Sequence, residues 1–186
     1  MRTLTNLEYA LLGLIRQTPQ SGYALCKTFE TTPMGHYSAS PGSIYPALNR
    51  LEKRGLIDGT VERVESLKPR KVYALSADGQ QKLTEWLLQT VTRDAVVRDS
   101  DGLMLRFGFM GEVATKRDVL RFLDELVTET RIVIQHLTEH HRDMPAKAPR
   151  RGGVATGRLA LGYGIESYRG LVRWAEKSIR TIENRK

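Results

Sequence analysis

Several features whose presence would settle a class are scarce or missing in this sequence. Cys26 is the single cysteine in 186 residues, which excludes an internal disulfide framework and any cysteine-based zinc cluster. No run of about 18 apolar residues occurs, so a membrane-spanning helix and a membrane role are excluded. The start, Met1-Arg2-Thr3-Leu4-Thr5-Asn6, enters an amphipathic pattern at once, without the apolar core or cleavage site of a secretory signal. A soluble cytoplasmic protein is expected. No nucleophile elbow, Walker loop or paired-carboxylate signature is present, so an enzyme would lack its nucleophile or base, and no cofactor is expected. The chain has four histidines. His136 and His140 are four apart with Glu139 nearby, but no glutamate base directly follows His136 as in the metalloprotease pattern, and a solvated helix end is the reading preferred over a metal site.

What is present is an ordinary globular composition, 40% hydrophobic and 27% charged, with 29 Lys+Arg against 21 Asp+Glu and a net charge of +8. The length allows one large domain or two small ones. The basic balance points to a polyanionic partner, although charge says nothing about fold.

The first 95 residues read as helix, helix, helix, hairpin, helix. Thr5-Asn6-Leu7-Glu8 fits a capping box with Leu4 and Tyr9 as its staple. Leu7, Ala10, Leu11, Leu14 and Ile15 follow at helical spacing. Ser21-Gly22 opens a second helix that turns Leu25, Cys26 and Phe29 inward and leaves Tyr23 outside. In the third, Ile44, Ala47, Leu48 and Leu51 form the inner stripe, Ser40 and Pro41 suit the cap and first turn, and Gly55 suits the stop. Pro46 conflicts with this helix, which must either kink there or begin nearer Ser43. Residues 57–65 and 71–75 read as two short strands joined by a polar turn at 66–70. Leu83, Trp86 and Leu87 mark a fourth helix.

The order is that of a winged helix-turn-helix, in which the helix entering the major groove presents its outward residues to the bases. Here the inner stripe leaves Gly42, Ser43, Tyr45, Asn49, Arg50 and Lys53 outward. Gly42 and Ser43 are small enough for close approach; Ser43, Tyr45 and Asn49 can bond bases or phosphates. Lys68, Arg70 and Lys71 would charge the hairpin tip against the backbone or a minor groove. The opposing reading is a solvated basic helix serving a protein–protein adaptor without DNA binding.

These residues carry a resemblance. Leu11-Leu12-Gly13-Leu14, Ser21-Gly22-Tyr23, Ser40-Pro41-Gly42-Ser43-Ile44-Tyr45-Pro46-Ala47-Leu48, Leu51-Glu52-Lys53-Arg54-Gly55-Leu56-Ile57 and Tyr73-Ala74-Leu75-Ser76 resemble the PadR family of bacterial transcriptional regulators over about residues 4 to 85. The resemblance makes Pro46 an expected feature. It implies a dimeric repressor or activator and places Tyr23, Ser43, Tyr45 and the basic wing on double-stranded operator DNA; Ser40, at the helix cap, is a further DNA-binding candidate. The long second half is similar to the subfamily with the larger C-terminal domain, which includes phenolic-acid-responsive repressors, so a small effector is implied.

Residues 96–186 are expected to form a helical dimerisation domain. Leu103, Leu105, Phe107 and Phe109 alternate like a strand, yet the same segment suits a short buried helix. Leu123, Leu126, Val133 and Leu137 recur along one long helix, and Leu161, Ile165, Tyr168, Val172 and Ile179 along another, with the loop 145–157 between them. Two such stripes in one chain only partly cover each other, so these residues are expected to make a homodimer. That dimer would set two recognition helices about 34 Å apart on a pseudo-palindromic operator. The alternative is an intramolecular bundle covered by residues 103–109. The fold class expected is mainly α with a small β-hairpin. Residues 1–95 hold 12 basic and 9 acidic side chains, a net of +3, and residues 96–186 hold 17 and 12, a net of +5. Most of the excess therefore lies away from the third helix, much of it at Arg150, Arg151 and Arg158.

Overall fold

The structure is a computed structural model describing residues 3–36, 40–63, 69–145 and 153–184. It divides into two compact units, Met1–Leu87 and Leu88–Lys186.

In the first unit, helix α1 (Asn6–Gln17) begins at the expected capping box: the Thr5 side chain accepts from the Glu8 amide, and the Glu8 carboxylate accepts from the Thr5 amide at 2.9 Å. Strand β1 (Gln20–Ser21) leads into α2 (Gly22–Thr31), capped by Ser21, whose hydroxyl accepts from the Ala24 amide. A 3-10 turn, Pro33–His36, precedes α3 (Pro41–Lys53). Ser40 is its N-cap and Pro41 its first residue, where a missing N–H costs nothing. The helix does not begin late at Ser43: it runs through Pro46. The missing Pro46 N–H leaves the Gly42 carbonyl without its helical donor, and both residues lie on the exposed face, where water can take that role.

Gly55, at φ 68°, ends α3 as a Schellman cap, with the Gly55 amide donating to the Glu52 carbonyl and the Leu56 amide to that of Leu51. Strands β2 (Ile57–Glu62) and β3 (Arg70–Leu75) form the antiparallel wing, with Gly59 opposite Tyr73. The sheet has three strands, in the order β1-β3-β2. The pair Gln20–Ser21 is too short to carry a periodic signal and is a strand only because Tyr73 and Val72 supply its partners.

Helix α4 (Ala77–Leu87) closes the unit. Its first turn lies so near the wing that a Cβ on Gly79 would sit 1.9 Å from the Leu56 carbonyl oxygen. Trp86 stacks on Tyr9, ring centroids 4.1 Å apart, and Leu11, Leu25, Phe29, Ile44, Leu48, Leu51 and Leu83 fill the core. Cys26 is buried with them, and burial pushes its thiol pKa up, away from a reactive thiolate.

The second unit gathers α5 (Arg93–Arg98), α6 (Ser100–Met110), α7 (Lys116–Asp143) and α8 (Thr156–Glu183). Residues 88–95 are tied into it, since the Val91 amide donates to Glu125 at 2.8 Å and Arg93 pairs with Glu129. Residues 103–109 are helical. Their strand-like alternation reflects a helix buried on several sides, with Leu103, Leu105, Arg106 and Met110 all inside. Helices α7 and α8, 28 residues each, are about 42 Å long. They run antiparallel, with Arg131 reaching Glu176 at 2.6 Å. Arg158 donates to the carbonyls of His141 and Met144, occupying acceptors that the end of α7 leaves open.

This packing changes the account of the apolar stripes. Leu123, Leu126, Val133, Ile165 and Val172 are buried within a single chain, in which α7 packs on α8 and on the shorter α5 and α6. Leu137, Leu161, Tyr168 and Ile179 are half-buried. The large apolar side chains that α8 exposes are Leu159, Tyr163 and Trp174, on the side of the helix opposite Ile165 and Val172. No described helix is long and apolar enough to cross a membrane.

Candidate nucleic-acid interface

The inner stripe of α3 (Ile44, Ala47, Leu48, Leu51) is fully buried, which fixes the rotation of the helix. Ser40, Gly42, Ser43, Tyr45, Asn49, Arg50 and Lys53 are exposed as a result. The N-terminus of α3 belongs to this exposed face. The Ser40 hydroxyl accepts from the Gly42 amide at 3.2 Å, and the partial positive charge of the first turn suits an anion.

Beside α3 lies a groove of about 510 Å³, lined by Ser21, Gly22 and Tyr23 from the start of α2, Tyr45 from α3, and Arg70, Lys71 and Tyr73 from β3. Tyr23 is 74% exposed and Tyr45 44% exposed, while Tyr73 is buried beneath them. Burial, aided by the Glu52 charge and opposed by the pull of Lys71, holds the Tyr73 hydroxyl above its ordinary pKa, so it stays a neutral donor. Aromatic rings, hydroxyls and two cations thus meet in one concave strip next to a helix N-terminus. Such a combination recognises a sugar–phosphate backbone and adjoining base edges. Lys68 lies outside the described residues, as do Arg150 and Arg151.

Three of the basic residues are not free cations, which sequence reasoning missed. Arg50 donates from Nε to Glu8 Oε1 at 2.8 Å. Arg70 binds Glu62 Oε2 through Nε at 3.0 Å and a terminal nitrogen at 2.9 Å. Lys71 Nζ sits 2.6 Å from Glu52 Oε1 and 2.7 Å from Oε2, with the Tyr73 ring centroid 5.5 Å away. The hydrogen bond and charge of Glu52 raise the Lys71 pKa. Arg50, Arg70 and Lys71 therefore each have a carboxylate of their own. Lys53 has no acidic partner among the described residues.

Glu8 is the most unusual of the three acids, because its side chain is only 3% exposed. Burial by itself would raise its pKa, but the Thr5 amide, Arg50 and the Thr5 hydroxyl outweigh burial and hold the carboxyl below the usual range. Glu8 was legible as a capping residue, and nothing local marks it as the acceptor for a guanidinium 42 positions away. No group of three or more His, Cys, Asp or Glu suited to a metal ion exists among the described residues.

Residues 11–85 match the Transcriptional regulator PadR-like family. That match lies within the first unit and leaves the second unit outside it. Among the relatives of the chain is the negative transcriptional regulator PadR of Bacillus subtilis, 26% identical over 183 residues, which are 95% of this chain and 97% of that protein. The transcriptional regulator YqjI of Escherichia coli is 37% identical over 79 residues, 42% of this chain and 36% of its own. Solved structures similar to the chain include Bacillus subtilis PadR in complex with operator DNA, 25% identical with a TM-score of 0.44, covering 95% of this chain and 98% of that one. Another is the same protein in complex with p-coumaric acid, 24% identical with a TM-score of 0.42, covering 97% and 100%. The PadR-like match spans the surface just described, from α1 to α4.

Proposed function

We propose that this PadR-like regulator is a cytoplasmic, sequence-specific repressor that binds a pseudo-palindromic operator as a homodimer and is released by a small effector. The observation that carries the DNA contact is the exposed start of α3, from Ser40 to Tyr45, beside the groove of Tyr23, Arg70 and Lys71. Ser43, Tyr45 and Asn49 face the bases, while Tyr23, Lys53 and the wing hold the backbone. Repression is supported by the relative that spans nearly the whole chain, a negative regulator. The same relative has been solved with p-coumaric acid, which supports an effector of phenolic-acid type. The dimer is assigned to the second unit, whose α8 exposes Leu159, Tyr163 and Trp174 and keeps Leu137, Leu161, Tyr168 and Ile179 partly open.

A salt titration of binding to duplex DNA from the region upstream of its own gene tests this. Affinity should fall steeply and log-linearly with salt as phosphate counterions compete. Absence of binding at low salt would overturn the assignment in favour of an adaptor that uses the winged helix to hold a protein.

A further inference from the structure

Gly22 is the first residue of α2 and is buried, although it borders an open groove. What covers it is the ring of Tyr45. A Cβ built on Gly22 would lie 2.6 Å from Tyr45 Cε1, 3.2 Å from Cζ and 3.3 Å from Cδ1. Real Cβ atoms do not approach a ring carbon that closely, so the ring occupies the space an alanine methyl would need. The backbone of Gly22 is not left-handed, since Gly55 is the positive-φ glycine of the described chain. The absence of a side chain at Gly22 is therefore a matter of space and not of torsion. The position would otherwise favour alanine, which loses less backbone freedom than glycine on entering a helix.

We infer that Gly22 is a positioning residue for DNA recognition: its bare Cα is the seat that holds the Tyr45 ring at the edge of the groove. This rests on the DNA-binding reading above and deepens it. Tyr45 leaves α3 on the exposed face, where a tyrosine ring has open rotamers and would lose them on binding. Contact with Gly22 selects one of them before DNA arrives. The ring is then held between the start of α2 and the wing, with Tyr23 and Lys71 lining the same groove. A methyl at Gly22 cannot be met by moving backbone, because α2 and α3 are fixed by the buried Phe29, Ile44 and Leu48. It is met by turning the ring away, which removes Tyr45 from its place while leaving its chemistry intact.

The experiment is a double-mutant cycle on the full chain, using a duplex that the wild-type protein has selected from a randomised pool. Gly22→Ala should weaken binding by about as much as Tyr45→Ala, on the order of tenfold. The Gly22→Ala/Tyr45→Ala double variant should bind no worse than Tyr45→Ala alone, because the methyl then meets nothing. Losses that multiply, or a Gly22→Ala protein that binds as wild type, would overturn the inference. A second arm needs no DNA. In protein with labelled tyrosine rings, the Tyr45 resonances, assigned by their disappearance in Tyr45→Ala, should shift in Gly22→Ala, and unchanged resonances would overturn the seat. If wild type selects no duplex while the Tyr45 resonances do shift, the DNA-binding reading has failed and the ring contact has not.

Discussion

The pairing of Arg50 with Glu8 makes a quantitative prediction about a residue that sequence reasoning assigned to DNA. Arg50→Ala removes one of the groups that keep the buried Glu8 carboxylate ionised and leaves the Thr5 amide and hydroxyl in place. Breaking a fully buried pair costs about 3–5 kcal/mol, and an exposed one about 0–1 kcal/mol. Arg50 is 44% exposed and Glu8 3%, so solvent screens one partner and an intermediate loss of about 1–2 kcal/mol is expected. For a unit of this size each kcal/mol moves the melting midpoint by about 4–8 °C. The assay is thermal unfolding followed through Trp86 in a Trp174→Phe background, so that the first unit alone is read. The Glu8 pKa is lowered in the folded state. Its stabilisation is thus complete above the unfolded carboxyl pKa and is lost as pH falls through the lower folded value. The gap between wild type and Arg50→Ala should accordingly be widest near neutral pH and shrink below about pH 4. Equal melting at neutral pH, or a gap that persists undiminished in acid, would refute the idea that Arg50 braces α3 to the start of α1.

Three further outcomes follow from the same geometry. Gly79→Ala should destabilise the first unit by at least about 3 kcal/mol, seen in denaturant melts, because the new methyl meets the Leu56 backbone and not a movable side chain. Lys71→Met should reduce the salt dependence of DNA binding by about one ion, whereas Glu52→Gln, which frees the same ammonium, should tighten binding to unrelated duplexes; slopes identical to wild type in both would remove Lys71 from the backbone contacts. Light scattering should give twice the 21.0 kDa chain mass for wild type and a shift toward the single-chain mass for Tyr163→Glu, whose ring is 77% exposed on α8.

What was legible in the sequence was local. The Thr5–Glu8 box, the Ser40–Pro41 start and the Gly55 stop each involve partners within a few positions, and each is present with the expected hydrogen bonds. The inner stripe of α3 fixed its exposed face for the same reason. Elements that depend on distant partners were hidden. Strand β1 needs β3, some fifty positions on, to exist at all. Helix α6 lost its helical period because it is buried on more than one side, although Asp99, whose carboxylate accepts from the Gly102 amide, was a cap signal that could have marked its start. The short α5, capped by Thr92, went unseen between two longer patterns.

The candidate interface shows the same division. Residue exposure followed from periodicity, but the carboxylates facing Arg50, Arg70 and Lys71 did not, since Glu8, Glu62 and Glu52 reach them only through tertiary packing or strand register. The apolar stripes of α7 and α8 signalled that long helices needed covering. They could not say by what, and much of the cover is the other helix of the same chain. Arg158, one of the charges that lie away from the third helix, serves the end of α7.

The proposed function requires a two-fold protein that reads sequence with the start of α3. The most direct measurement is selection of bound duplexes from a randomised pool by the full-length protein. The prediction is an enriched inverted repeat whose half-sites are centred about one helical turn, roughly 10 base pairs, or a multiple of it apart, with the half-site consensus altered by substitution at Ser43 or Asn49. Enrichment of no sequence, or of a single half-site without its inverted partner, would contradict it.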